Sequence, residues 1–359
     1  MKYIDEYREK DLVNRLIEKI SSVATKEISL MEVCGGHTWA IRKCGIPSLL
    51  PKNIRLLSGP GCPVCVTSKK FIDQAVAYSR LNDVILTTYG DLMRVPGSTS
   101  SLSMEKSMGA DIRIVYSILD ALQIAQENRS KKVVFLGIGF ETTAPGSAAG
   151  ILNAAKDNLT NFFVYSSHKI MPPAMCALID EGVKINGYIA PGHVSVITGS
   201  SIYEGIPEKY GVGCVISGFE PADILQSILM LAKQIENNSY SVEIQYKRVV
   251  RPEGNIKAKE MMNQVFSLRD DWWRGLGTLK DSGLCLKNEY LAFDAEKMIE
   301  VDVEKTKEEQ GCICGEILRG VKTPDQCSLF AAVCTTINPV GACMVSHEGA
   351  CNAYYRFKN

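Results

Sequence analysis

Hydrophobic residues recur along this chain in two rhythms. Between residues 5 and 25, Leu12, Val13, Leu16, Ile17 and Ile20 share one helical stripe, which predicts an amphipathic helix. Short apolar or β-branched runs follow, each ending in a glycine-containing loop that leads into a helical stretch. The runs cover residues 28–33, 54–57, 84–88, 112–116, 133–137, 162–165, 188–190 and 214–216. Helical periodicity lies between them at 69–80, 117–127, 144–156 and 222–235. This alternation predicts parallel strands covered by helices. Eight strands can close one barrel or form two smaller sheets. The stretch 117–131 makes a natural join, so the expectation is two small parallel-sheet α/β domains, 1–128 and 129–236, facing a cleft. From Glu236 the rhythm breaks into a strand-like run at 240–250, the turn Pro252-Glu253-Gly254 and a helix at 256–266. Residues 237–359 are therefore read as a third unit, with Trp272, Trp273 and Leu276 packing against its end.

The end of that unit carries the densest chemistry. Six of the 13 cysteines fall from Cys312 onward, and four read as Cys312-x14-Cys327-x6-Cys334-x16-Cys351, leaving Cys314 and Cys343 over. Loop formers surround them, such as Thr323-Pro324-Asp325, Asn338-Pro339 and Gly341. Four thiolates suit the soft irons of a 4Fe-4S cluster, and equally a tetrahedral structural zinc. Disulfides are the third reading of such a spacing. The paired Cys-x2–4-Cys knuckles of structural zinc are missing here, and thirteen thiols cannot all pair.

Composition narrows the setting. The 359 residues are too many for one ordinary core, and 46% of them are hydrophobic. Forty basic residues balance forty acidic ones, which argues against a nucleic-acid surface. The first ten residues are charged throughout, with no apolar leader core, and no run approaches a membrane span. A cytosolic chain is expected, where thiols stay reduced and clustered cysteines serve metal or redox work.

Unusual residues sit after one strand after another, where ligands bind in open α/β sheets. Cys34-Gly35-Gly36-His37-Thr38 follows the run 28–33, and its cysteine precedes a helix. A helix start and a nearby imidazole would lower that thiol's pKa. Gly59-Pro60-Gly61-Cys62-Pro63-Val64-Cys65 follows 54–57. Its Cys-x-x-Cys has the spacing of a dithiol redox site or half a metal site. Gly139-Phe140-Glu141-Thr142-Thr143 follows 133–137, and Pro191-Gly192-His193-Val194-Ser195 follows 188–190. His193 suits a base or ligand role. Glu141 echoes Glu220 in a repeated Gly-Phe-Glu before a helix, where helix-start chemistry accounts for Glu220. Cys44, Cys176, Cys214 and Cys285 read as ordinary buried cysteines. No dinucleotide fingerprint or Walker sequence is present.

Together these motifs, with Gly341-Ala342-Cys343-Met344-Val345-Ser346 and Glu348-Gly349, resemble the HypD family of nickel–iron hydrogenase maturation proteins from about residue 28 onward. Trp39 departs from the pattern, because many members carry a second histidine there. The resemblance implies a scaffold on which the Fe(CN)2CO group is built. It implies a 4Fe-4S cluster on Cys312, Cys327, Cys334 and Cys351 that passes electrons to Cys62 and Cys65. It also implies that Cys34 holds the iron together with a cysteine of the small chaperone HypC, while HypE delivers cyanide from a thiocyanate. His37 would support Cys34 from behind, at a site open to the surface. The competing reading is an iron–sulfur thiol–disulfide oxidoreductase acting on a protein partner, which leaves Cys34 without a task.

Overall fold

The apolar runs do become strands. In a computed structural model, which describes residues 4–357, all eight runs and a ninth short strand lie in two parallel sheets. They are β1 (Ile28–Glu32), β2 (Ile54–Ser58), β3 (Val84–Thr88), β4 (Ile112–Ile114), β5 (Lys132–Gly139), β6 (Phe162–His168), β7 (Gly187–Pro191), β8 (Gly213–Ser217) and β9 (Val242–Ile244). The first sheet has the order β2-β1-β7-β8-β9 and the second β4-β3-β5-β6, so there is no barrel.

The sheets do not partition at residue 128. The first sheet takes two strands from the start of the chain and three from beyond Gly187, and the second occupies the sequence between them. The short run 242–244 also returns to the first sheet beside β8, rather than opening a third unit. Side-chain alternation explains the pairing. In β1, Ile28 and Leu30 face a cluster with the helices Lys10–Val23 and Pro221–Asn237, while Met31 faces the other way. Met31, Leu57, Tyr188 and Ile216 share one apolar core with Leu86, Val134 and Leu136 of the second sheet. Two faces need two sets of cover, and the interleaved order supplies both. The sheets are therefore welded through a core, and any cleft is confined to the strand ends.

An antiparallel hairpin, β10 (Phe266–Trp273) and β11 (Gly277–Leu286), was not foreseen from the sequence. Its strands alternate intermediate and exposed residues over half their length, too weak a pattern to stand out. It is fastened to the second sheet by Lys169, whose buried ammonium meets Asp271 at 2.7 Å and the Trp272 carbonyl at 2.8 Å. Trp273 is fully buried and donates to Ser282. The tail follows as short helices, Cys314–Leu318, Ala342–Val345 and Ala350–Arg356, joined by loops. No helix among the described residues is long and apolar enough to cross a membrane.

Candidate functional site

Three loops interlock at the carboxyl ends of β1 and β2. Gly59 N–H donates to the Glu32 carbonyl at 2.8 Å, and Gly35 N–H to the Gly61 carbonyl at 3.0 Å. A Cβ on Gly61 would lie 2.1 Å from the Cys34 nitrogen and 2.4 Å from its Cα, and one on Gly35 would strike the backbone of Glu348 in the tail. Backbone packed on backbone cannot yield. Gly61→Ala is therefore expected to cost about 3 kcal/mol or more, read as a lower urea midpoint with an unchanged m value.

Cys34 caps the helix Gly35–Lys43, and only 1% of it is exposed, so the thiol is enclosed rather than open to the surface. Its imidazole neighbour is His193, with Nδ1 3.7 Å from Sγ. His37 points elsewhere. Its Nε2 pairs with the Gly218 carbonyl at 3.0 Å, and its ring stacks on Phe219. Phe219 also touches the His193 ring and lies against Gly36. It thus packs both histidines, a role masked in the sequence by the charged Glu220 beside it. Glu220 caps the helix Pro221–Asn237 as its position before the helix predicts, with its N–H donating to Asp223 at 3.2 Å, and its carboxylate also pairs with Arg8.

The Cys34 thiol is not activated by this setting. Burial pushes its pKa up, the nearby carboxylates of Glu348 and Glu32 add to the rise, and the N–H groups of His37 and Gly36 only partly oppose it. The helix start is outweighed because a thiolate here would lose its water. Burial lowers His37, His168 and His193 to about 4, so each imidazole is neutral near pH 7. A buried thiol beside a neutral imidazole offers one soft and one borderline donor, a pair that could hold a transition-metal ion.

His193 faces a cavity of about 320 Å3, lined also by Tyr89, Asp91, Thr142, Thr143 and Glu348. Cys62 and Cys65 stand beside it, joined in this structure by a disulfide. Val64 between them lines the cavity. Glu141 lies behind the wall. Its Oε1 accepts from Met171 N–H at 2.9 Å, at the start of the helix Met171–Asp180, and its Oε2 has no partner. Of the four remaining cysteines outside the site and tail, only Cys214 is buried, while Cys44 is exposed.

Burial raises Glu141 to about 7 and Glu32 to about 8. Both carboxyls thus bind a proton more tightly in the folded chain than in the unfolded one. Their contribution to stability is full below about pH 4.5 and is lost as pH rises through 7 to 8. The three depressed histidines act oppositely: their contribution is full above 6.5 and is lost as pH falls through 4. Glu141→Gln should remove one slope. From pH 5 to pH 8 the unfolding free energy in urea is expected to change by roughly 3 kcal/mol more in the stabilising direction in that variant than in the parent chain.

Behind the disulfide lies the tail. The helix Pro63–Val66 packs against Cys314–Leu318 and Ala342–Val345, which carry Cys314 and Cys343. Cys312 Sγ is 3.2 Å from Cys314 Sγ. Cys343 exchanges hydrogen bonds with Cys314 and Cys351, which hold its thiol below the usual range. Cys334 Sγ accepts from Val340 N–H at 3.3 Å. Cys327 stands apart on the outer loop, 3.8 Å from the carbonyl of Gly311. Among the described residues no three groups converge tightly enough to hold a single metal ion. The donor set fits a larger, sulfur-loving body: six free thiols share the tail, and Gly341 leaves open the space over Cys312 and Cys314 that a Cβ would fill. Trp39 closes the outer side, packing on His347 and Phe357.

The sequence profile described as "HypD: Hydrogenase formation hypA family" matches residues 11–358. The chain belongs to the HypD family. Hydrogenase maturation factor HypD2 of Bradyrhizobium diazoefficiens is 46% identical to it over 368 residues, covering 99% of this chain and 97% of that one. A putative hydrogenase expression/formation protein of Methanocaldococcus jannaschii is 46% identical over 349 residues, 97% of each chain. Hydrogenase maturation factor HypD of Cupriavidus necator is 44% identical over 373 residues, covering all of this chain and 98% of that one. As a HypD family member the chain is a hydrogenase maturation factor.

Proposed function

We propose that this chain is the scaffold on which the Fe(CN)2CO group of nickel–iron hydrogenase is assembled. The observation that carries this reading is the line of sulfur from the cavity inward: Cys34 beside His193, then the Cys62–Cys65 disulfide, then the tail thiols. The iron is cargo. Cys34 and a cysteine of HypC hold it as thiolates, and the neutral His193 imidazole stands within reach of the same ion. Binding a cation offsets the burial that keeps the free Cys34 thiol protonated. The site's enclosure then works in its favour, because it keeps water and oxygen from the nascent group.

Cysteines 312, 327, 334 and 351 would hold a 4Fe-4S cluster, which supplies electrons singly when bound. Cys62 and Cys65 convert that supply to pairs: their disulfide takes two electrons and two protons to become a dithiol. Returning to the disulfide releases the same two electrons and two protons. That matches cleavage of the S–CN bond of a thiocyanate carried by HypE, giving a thiol on HypE and hydrogen cyanide, which binds iron as cyanide once its proton leaves. Glu348, which lines the same cavity and whose pKa burial raises, would take that proton.

Infrared spectra of the anaerobic complex with HypC test the reading. CN and CO stretches are expected in the complex isolated from cells that make the full maturation set. A complex that forms but carries neither band, with its tail loaded, would remove the scaffold role and leave the thiol oxidoreductase.

A further inference from the structure

Arg274 lies in the turn between β10 and β11 and touches both redox elements. Its Nε donates to the Cys65 carbonyl at 3.0 Å, its backbone N–H to the Val66 carbonyl at 2.9 Å, and its Nη2 to the Thr67 carbonyl at 3.0 Å. Three successive carbonyls at the end of the Pro63–Val66 helix, which no further turn would satisfy, are thus held by one residue. Nη1 meets Glu308 at 3.2 Å. On its other side Arg274 lines a cavity of about 260 Å3 together with Cys312, Cys314 and Gly341. The next residue, Gly275, packs so closely on Gly315 that a Cβ there would lie 2.5 Å from the Gly315 carbonyl oxygen. A planar fork with several donors suits this post, and a lysine ammonium cannot reach the same set of acceptors at once.

We infer that Arg274 is the positioning residue that locks the Cys62–Cys65 loop onto the tail thiols and keeps electron exchange between them fast. The inference rests on the proposed relay between tail and dithiol. The step concerned is two successive one-electron transfers to the disulfide. The S–S bond breaks, and two S–H bonds form with protons from water. The external donor is a low-potential one-electron reductant.

The test uses the full chain, cluster-loaded and oxidised at Cys62–Cys65, with dithionite as the donor. Thiols at Cys62 and Cys65 are trapped by alkylation over time and counted by mass spectrometry, with cluster-free chain as the baseline. Arg274→Gln is expected to slow their appearance about 10–100-fold, the usual effect of losing a supporting partner, and Arg274→Lys less. Visible absorption of the tail and the rate at which dithiothreitol opens the disulfide should stay as in the parent. A parent-like dithionite rate in Arg274→Gln overturns the inference. So does lost absorption in both variants or an equally slowed dithiothreitol reaction, either of which assigns Arg274 to the fold alone. A parent chain no faster than the cluster-free baseline overturns the relay itself, and is distinguishable because it needs no variant.

Discussion

Cys34→Ala is expected to abolish the CN and CO bands of the HypC complex while the visible spectrum of the tail stays unchanged. The two sites use different cysteines, and the tail thiols contact the Pro63–Val66 helix rather than Cys34. The loss should be complete rather than graded. His193 cannot hold iron by itself against water, and the thiolate is the soft ligand that a cyanide-bearing iron favours. Stability should fall only by about 1 kcal/mol, because one buried sulfur is removed from a loop held by backbone hydrogen bonds. Docking of HypC should largely persist, which a pull-down would check. His37→Ala should have a different signature. His37 packs on Phe219 and not on the thiol, so its removal should weaken iron loading by loosening Phe219 and through it His193. Wild-type bands in the Cys34→Ala complex would place the iron elsewhere, most directly on Cys62 and Cys65.

Replacing Cys312, Cys327, Cys334 or Cys351 singly by Ala is expected to bleach the anaerobic protein and expose residues 311–341 to proteolysis. That stretch has little regular structure and few buried side chains of its own. In such loops the metal–ligand energy is folding energy. Absorption spectra and limited digestion of each variant would check both effects. The comparison with Cys314→Ala and Cys343→Ala decides the ligand set. Cys314 and Cys343 both meet Cys351, whereas the Cys327 thiol faces the Gly311 carbonyl on the outer loop. Bleaching by either of them, with colour kept in Cys312→Ala, would overturn this ligand set, and colour kept in Cys327→Ala would leave Cys327 as a loop residue.

The motif loops were legible because their residues are chemically rare and their strands strongly apolar. Glycine pairs beside cysteine, a proline inside Cys-x-x-Cys and a histidine after a buried strand need no tertiary knowledge to notice. Where the fold departs from the local pattern, the causes are equally specific. The helix start after Cys34 predicts an activated thiol, yet desolvation, Glu348 reached from the tail and Glu32 two residues back outweigh that local effect. His37 was favoured as its neighbour because it is three residues away. Helix geometry instead turns the ring toward Gly218, and the parallel pairing of β1 with β7 delivers His193. Arg274 escaped notice because a single arginine in a hairpin turn carries no sequence signal.

Taken alone, the sequence determined the alternation of strands and helices, the loops that carry chemistry and the family, since these depend on local periodicity and rare residue types. Only the tertiary structure decided which strands share a sheet, which imidazole meets Cys34 and which thiols meet each other. The reason is physical. Apolar strands are interchangeable as sequences, and their partners are chosen by which order buries both faces of each sheet at once. That choice, made across more than a hundred residues, sets Cys34 beside His193 and the tail behind Cys62 and Cys65.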